Sequence, residues 1–220
     1  FTDIVVDVRP TTGDVLFQTD NCQQVEWLSY WGTSGQAQFH RTATWDYLQA
    51  FIDEGHKLGL RVYASINTFV GGNATAVGNA GAVFRDPAMA ELTTVVNTAD
   101  GFKSIMDLGD ENGDGVNEYS AKFFNPVHPD VQAYLFSLLE DLAAYKDLDG
   151  IILDRGRFDS IRSDFSDYTR EQFESYIGTT LANWPEDVMP VNWAYADVPS
   201  PEPQYFRKWL EFRAKVIHDF

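Results

Sequence analysis

The 220-residue sequence contains one cysteine, Cys22. It therefore offers neither an internal disulfide nor a cysteine-based zinc site, and with no basic neighbour in sequence the thiol reads as buried and inert. Basic residues are scarce: 16 Lys and Arg stand against 33 Asp and Glu, a formal charge of −17. Such a balance repels phosphate backbones and argues against a nucleic-acid partner, leaving neutral or cationic ligands. No run approaches ~18 apolar residues, so no membrane span is expected. A start methionine is also missing. The chain opens on Phe1 and enters a strand-like segment at once, as a processed chain would after loss of a signal peptide. The expectation is a secreted or periplasmic location, or anchoring at the cell surface. His40, His56, His128 and His218 show no metal-ligand spacing; His56 reads as structural and His128 as a helix cap. No organic cofactor is implied, and oligomeric state is not encoded in any recognisable pattern.

Apolar residues are plentiful: 44% hydrophobic content can fill a single core, and 15% aromatic content supplies rings of the kind that sugar-binding clefts stack against. DIVVDVR (Asp3 to Arg9), closed by Pro10, reads as a first strand. Phe17 to Thr42 holds no period and reads as an extended loop carrying Trp27, Tyr30 and Trp31. Trp45, Leu48, Phe51 and Ile52 recur at helical spacing up to Lys57-Leu58-Gly59, and LRVYASINTF (Leu60 to Phe69) gives a second strand. Gly71 to Gly81 reads as a loop. Leu92 to Asn97 and Phe102 to Leu108, joined through Asp100-Gly101, read as a hairpin. Lys122 to Asn125 gives a short third strand. Pro129 opens the clearest helix, marked by Val131, Leu135, Leu138 and Leu142. Its partner strand, Gly150 to Leu153, follows and counts as the fourth. Thr169 and Gln172 form a capping-box pattern ahead of a helix from Arg170 to Ile177. Met189 to Tyr195 is weakly strand-like, and an aromatic helix spans Tyr205 to Phe220. The alternation of strand and helix predicts an α/β fold with a parallel sheet. With about four strands it reads as one domain, 1–220, holding the N-terminal part of a barrel interrupted by a hairpin and long loops.

Chemistry concentrates where the predicted fourth strand ends. In DGIILDRGRFDS (Asp149 to Ser160) a short apolar run stops abruptly at Asp154, followed by Arg155, Arg157 and Asp159. Ligands in parallel α/β folds bind at the carboxyl ends of strands. Arg157 beside Asp154 would favour its ionised form, which suits a nucleophile rather than an acid; the competing reading is an ion pair closing the rim of the sheet. Arg9, Asp14, Asn67, Asn125 and Arg157 fall at the same ends and are candidates for binding sugar hydroxyls or for tying loops together. Separately, Asp110, Asn112, Asp114, Gly115 and Glu118 follow the D-x-N-x-D-G spacing of a calcium loop, with oxygen ligands at alternate positions. Ala121 occupies the twelfth position, where a carboxylate is usual, so a solvated acidic turn is the alternative.

Four stretches in order, VDVRPTTGD (Val6 to Asp14), EGHKLGLRVYASIN (Glu54 to Asn67), FNPVHPDVQAYL (Phe124 to Leu135) and DGIILDRGRF (Asp149 to Phe158), resemble the bacterial glycosyl-hydrolase-like (β/α)8 barrels called family 10-like, with a more distant likeness to the α-amylase superfamily. The resemblance implies a TIM-type barrel acting on poly- or oligosaccharides, with Asp154 at the fourth-strand carboxylate that amylase-like enzymes use as nucleophile. The chain departs from that pattern at Asp7, where relatives tend to carry an amide, and at Arg155 and Gly156, where they tend to carry aromatics. Glycoside hydrolysis requires a second carboxyl group, expected from a later strand beyond Phe220 rather than from Asp7. A barrel that binds glycans without cutting them is the alternative.

Overall fold

A computed structural model describes residues 1–32, 35–75, 78–190 and 198–220, with side chains described outside 28–38 and 75–77. The elements are β1 (Asp3–Arg9), β2 (Trp27–Gly32), β3 (Gly35–His40), α1 (Tyr47–Lys57), β4 (Arg61–Asn67), β5 (Val70–Thr75), β6 (Gly78–Ala80), α2 (Ala82–Arg85), α3 (Pro87–Glu91), β7 (Val95–Thr98), β8 (Gly101–Ser104), β9 (Ala121–Phe123), α4 (Pro129–Ala143), β10 (Gly150–Asp154), α5 (Asp167–Ile177) and α6 (Phe206–Asp219). The fold is mixed α/β. Its centre is a parallel three-stranded sheet in the order β1-β4-β10. A partial barrel is compatible with this arrangement; no closed barrel is formed among the described residues. Among the described residues, no helix is long and apolar enough to cross a membrane.

Strand alternation gives the sheet two unlike faces. Val6, Val8, Val62, Ala64 and Ile66 are buried in one cluster with Leu48 and Ile52 of α1 and Leu135, Leu138 and Leu142 of α4. α1 begins at Asp46, whose carboxylate accepts from Gln49 N–H, and stops before Gly59 at φ 73°. Gly55 inside it is needed for close approach, since a Cβ there would meet Val62 at 2.6 Å. His128 caps α4, its Nδ1 accepting from Asp130 N–H, with Pro129 in the first turn. The opposite face of the sheet carries Val5, Asp7, Tyr63, Ser65, Ile152 and Asp154, in the rows Val5↔Tyr63↔Gly150 and Asp7↔Ser65↔Ile152. Nothing among the described residues covers it: Val5 is 56% exposed and Ile152 38%.

Four sequence expectations are corrected. The third strand is not part of the parallel sheet: β9 runs antiparallel to β5. β10 therefore lies directly beside β4 as the sheet's third strand. Phe17 to Thr42 contains the β2–β3 hairpin. Gly71 to Gly81 is not a loop but holds most of the β5–β6 hairpin. Its glycines serve packing, since a Cβ on Gly71 would meet Phe124 at 2.6 Å and one on Gly72 would meet the Ala80 carbonyl at 2.6 Å. Finally, the cap of α5 is Ser166, which accepts from Thr169 N–H; the Thr169 hydroxyl is instead buried against the Asn125 amide. The predicted hairpin at Asp100-Gly101 is present as β7–β8. Of the weak strand from Met189 to Tyr195, residues 191–195 lie outside the described residues, as do the side chains of Tyr30 and Trp31.

A second core joins α5 and α6. Trp209 is fully buried, with ring centroids of Phe173 at 5.0 Å, Phe165 at 5.4 Å, Trp184 at 5.6 Å and Phe212 at 5.9 Å. Phe102 of β8 stacks on Phe165 at 5.9 Å and ties the β7–β8 hairpin to this core.

Candidate functional site

β10 delivers Asp154 to the carboxyl end of the parallel sheet, exposed and on the uncovered face. Its Oδ1 accepts from Arg155 N–H at 2.8 Å. Arg155 stands at φ 48°, a left-handed conformation that costs a non-glycine residue about 1 kcal/mol. Such backbone at the end of a strand is often found where a side chain must be aimed.

The Asp154–Arg157 ion pair of the competing reading is not formed among the described residues. Arg157 instead donates to the carbonyls of Phe158 (2.9 Å) and Asp159. Its guanidinium lies over the Phe123 ring at 5.1 Å, with that of Arg155 at 5.9 Å. Both cations are thus held to one side by an aromatic face. Burial pushes the Asp159 carboxyl up, against the pull of Arg157 and Arg155.

Asp7 is the carboxylate nearest in register. It sits across β4 from Ile152, two residues before Asp154, which by strand spacing and rise separates the Cα atoms of Asp7 and Asp154 by roughly 12 Å. Although Asp7 is exposed, the protein around it raises its carboxyl above the ordinary range chiefly by desolvation; the Asp154 charge adds to this, while the Arg9 N–H opposes it. A raised carboxyl penalises the native state once ionised. Asp7→Asn is therefore expected to increase stability at neutral pH, with the gain fading as pH falls through the raised pKa and absent below the unfolded value of about 3.9. Denaturant midpoints of both proteins across that pH range check this, and a gain independent of pH would contradict it.

The other predicted sugar ligands disperse. Arg9 and Asn67 meet: Arg9 Nη1 donates to the Asn67 carbonyl at 2.6 Å and the Asn67 amide returns a bond to the Arg9 carbonyl at 3.0 Å. Both are buried and lock β1 to β4. Asn125 is buried too, its amide donating to Asp164 (2.8 Å), Thr169 (2.9 Å) and Ser166 (3.3 Å). Asp14 forms a bidentate pair with Arg85, at 2.5 and 3.2 Å. Burial raises the Asp14 carboxyl, with Arg85 opposing. Of the five, Arg157 alone stands in the open beside Asp154.

Two residues with commanding positions escaped the sequence reading. Asp164, fully buried, accepts from Thr94 Oγ1 (3.0 Å), Val95 N–H (2.5 Å), Asn125, and the N–H and hydroxyl of Ser166. Lys122, also buried, donates to the carbonyls of Ile105 and Leu108, both at 2.7 Å, and burial lowers its pKa. Each sits among residues without a period or motif, so only the tertiary fold reveals its partners.

Lys122 fixes the chain just ahead of the acidic loop. There Asp110, Asp114 and Glu118 each bring a carboxylate oxygen within 4.8 Å of the others, all exposed. Asp110 accepts from the N–H groups of Gly113 (2.6 Å), Asp114 (3.2 Å) and Gly115 (2.7 Å), which hold its carboxyl below the ordinary range. Asn112 donates to Glu118 at 2.5 Å, so its amide oxygen stays available. The donor set is all oxygen, as a hard cation requires.

Residues 1–220 match the model of a family described as glycosyl hydrolase-like 10. The chain is also 30% identical over 222 residues to an S-layer-related protein of Niallia circulans, covering all of this chain and 13% of that protein. Resting on the match along its whole length, the chain belongs to the glycosyl hydrolase-like 10 family.

Proposed function

We propose that this chain carries part of the active centre of a glycoside hydrolase built on a TIM-type barrel, with Asp154 as its catalytic carboxylate. The observation that carries the reading is the placement of Asp154: exposed, at the carboxyl end of a parallel strand, on the uncovered face of the sheet. Family membership supports the chemistry at the level of glycan hydrolysis. Hydrolysis at the anomeric carbon needs a proton donor facing the first carboxylate, at about 5–5.5 Å for retention or 6.5–9.5 Å for inversion. Asp7 lies too far along its strand for the closer spacing. We assign the acid to a later strand outside these residues, in a barrel of which 1–220 form one part, as the resemblance to barrel glycosidases implies. Asp154 then acts as nucleophile or base, and Arg157 as a neighbour that bonds sugar hydroxyls. Arg9, Asn67 and Asn125 act as positioning residues. The Niallia circulans relative is an S-layer-related protein, which suits a secreted or surface-anchored protein with a polysaccharide substrate. Turnover of a glycan panel by the full-length protein and by Asp154→Asn tests the assignment.

A second reading, glycan binding without hydrolysis, is favoured by one observation: the cations of Arg155 and Arg157, which follow Asp154, are held over the Phe123 ring and make no ion pair with that carboxylate among the described residues. Wild-type protein that binds a glycan and turns over none of the panel would select it.

Calcium in the Asp110 to Glu118 loop completes the proposal, with ligands from Asp110, Asn112, Asp114 and Glu118. The missing twelfth carboxylate places affinity in the weak class of about 10⁻⁴–10⁻³ M. Added calcium is expected to raise the melting temperature and chelator to reverse it; identical melting with calcium and with chelator would remove the ion from the account.

A further inference from the structure

Beyond the Asp154 region, a pocket of about 200 Å³ opens where the loop after β1 meets β2 and β6. Its floor is the ion pair of Asp14, itself 95% buried, with Arg85. That floor is rigid because Gly13 abuts the Gly71 backbone, where a Cβ would stand 2.8 Å from it, and Gly81 abuts the Thr12 carbonyl. Thr12 also lines the pocket, and its hydroxyl oxygen is buried without a hydrogen-bond partner among the described residues. Trp27 forms a wall. Its indole is braced edge-on by His40 at 5.1 Å, yet 49% of the residue is exposed. Glu26 and Asn79, both exposed, complete the rim with polar side chains.

An aromatic ring and open carboxylate and amide groups line one small cavity. Apolar ring faces with a few directed polar groups select ligands that are flat on one side and hydroxylated at the edges. A pyranose ring has that form. Arg85 offsets Asp14, so Glu26 leaves the lining with one net negative charge, within a chain of charge −17. An acidic sugar would be repelled, while a neutral or amino-bearing one would not. We propose that this pocket is a glycan subsite, separate from the Asp154 carboxylate, that stacks one neutral or amino-bearing pyranose on Trp27 and bonds its hydroxyls to Glu26 and Asn79.

The inference rests on the glycan reading above. Its test is calorimetric titration of the full-length protein with tetramers of glucose, N-acetylglucosamine, glucosamine and galacturonate. Wild type is expected to bind at least one neutral or amino tetramer and not the galacturonate. Trp27→Ala should weaken that binding by at least about tenfold at unchanged melting temperature, the loss of a stacked ring being worth roughly that factor. Glu26→Gln, at an exposed position, should weaken the glucosamine tetramer more than the uncharged ones. Unchanged affinity in both variants, preferred binding of galacturonate, or no binding by wild type overturns the subsite. The two readings separate cleanly. Binding that needs Trp27 without any turnover defeats the hydrolase and supports the subsite. Turnover with binding and KM indifferent to Trp27 does the reverse.

Discussion

Asp154→Asn is expected to lower glycan turnover by on the order of 10³-fold, the scale on which a positioned carboxyl group acts, and to leave the melting temperature within about 2 °C of wild type. The two halves of this expectation have separate origins. Asp154 is exposed, and its Oδ1 accepts one backbone N–H, from Arg155; an asparagine Oδ1 accepts the same bond, so the fold has little to lose. Chemistry has much to lose, because an amide neither attacks an anomeric carbon nor takes a proton from water. Turnover that is detectable in wild type and the same in the variant would show that Asp154 is not the catalytic group.

Trp209→Ala should be the most damaging single change to stability, at about 3–5 kcal/mol, or roughly 10 °C in melting temperature for a chain of this size. The indole fills the centre of the second core, touching Phe165, Phe173, Trp184 and Phe212. Trp209→Phe is expected to cost roughly half as much or less. The indole Nε1 is buried without a hydrogen-bond partner among the described residues, so phenylalanine keeps most of the packing and removes a donor unpaired there. Equal losses in the two variants would mean that the polar atom carries no penalty. Because Phe102 stacks on Phe165, loosening this core should also raise hydrogen exchange at Val95–Thr98 and Gly101–Ser104.

The parts of the fold legible in sequence were those with a period and punctuation. β1, α1, β4, α4 and β10 announce themselves by apolar spacing, by His128-Pro129 and by Gly59. β5 did not, because Gly71 and Gly72 are in a strand for the sake of close approach to Phe124 and Ala80, against their own propensity; β9 was legible as a strand, but not its antiparallel pairing with β5. The same division runs through the site. That Arg9 and Asn67 end strands was readable; that their polar groups turn to each other, and that of Asn125 to Asp164, depends on residues 39 to 58 positions away. Arg85, Thr12 and Glu26 gave no local sign of converging on Trp27, since their meeting depends on the Gly13–Gly71 and Gly81–Thr12 contacts.

The order β1-β4-β10 also sets a timetable for synthesis. β4 ends at Asn67 and its second neighbour begins at Gly150, 150 − 67 = 83 residues later. At a ribosomal pace of about 5–20 residues per second, one edge of β4 waits roughly 4–17 s for its partner. During that interval the nascent chain holds an open row of backbone donors and acceptors, flanked by Val62, Ala64 and Ile66. Helix α4, completed a few residues before β10, is the element that can shield those side chains first, so its early formation protects the growing chain from pairing with its neighbours on the same message.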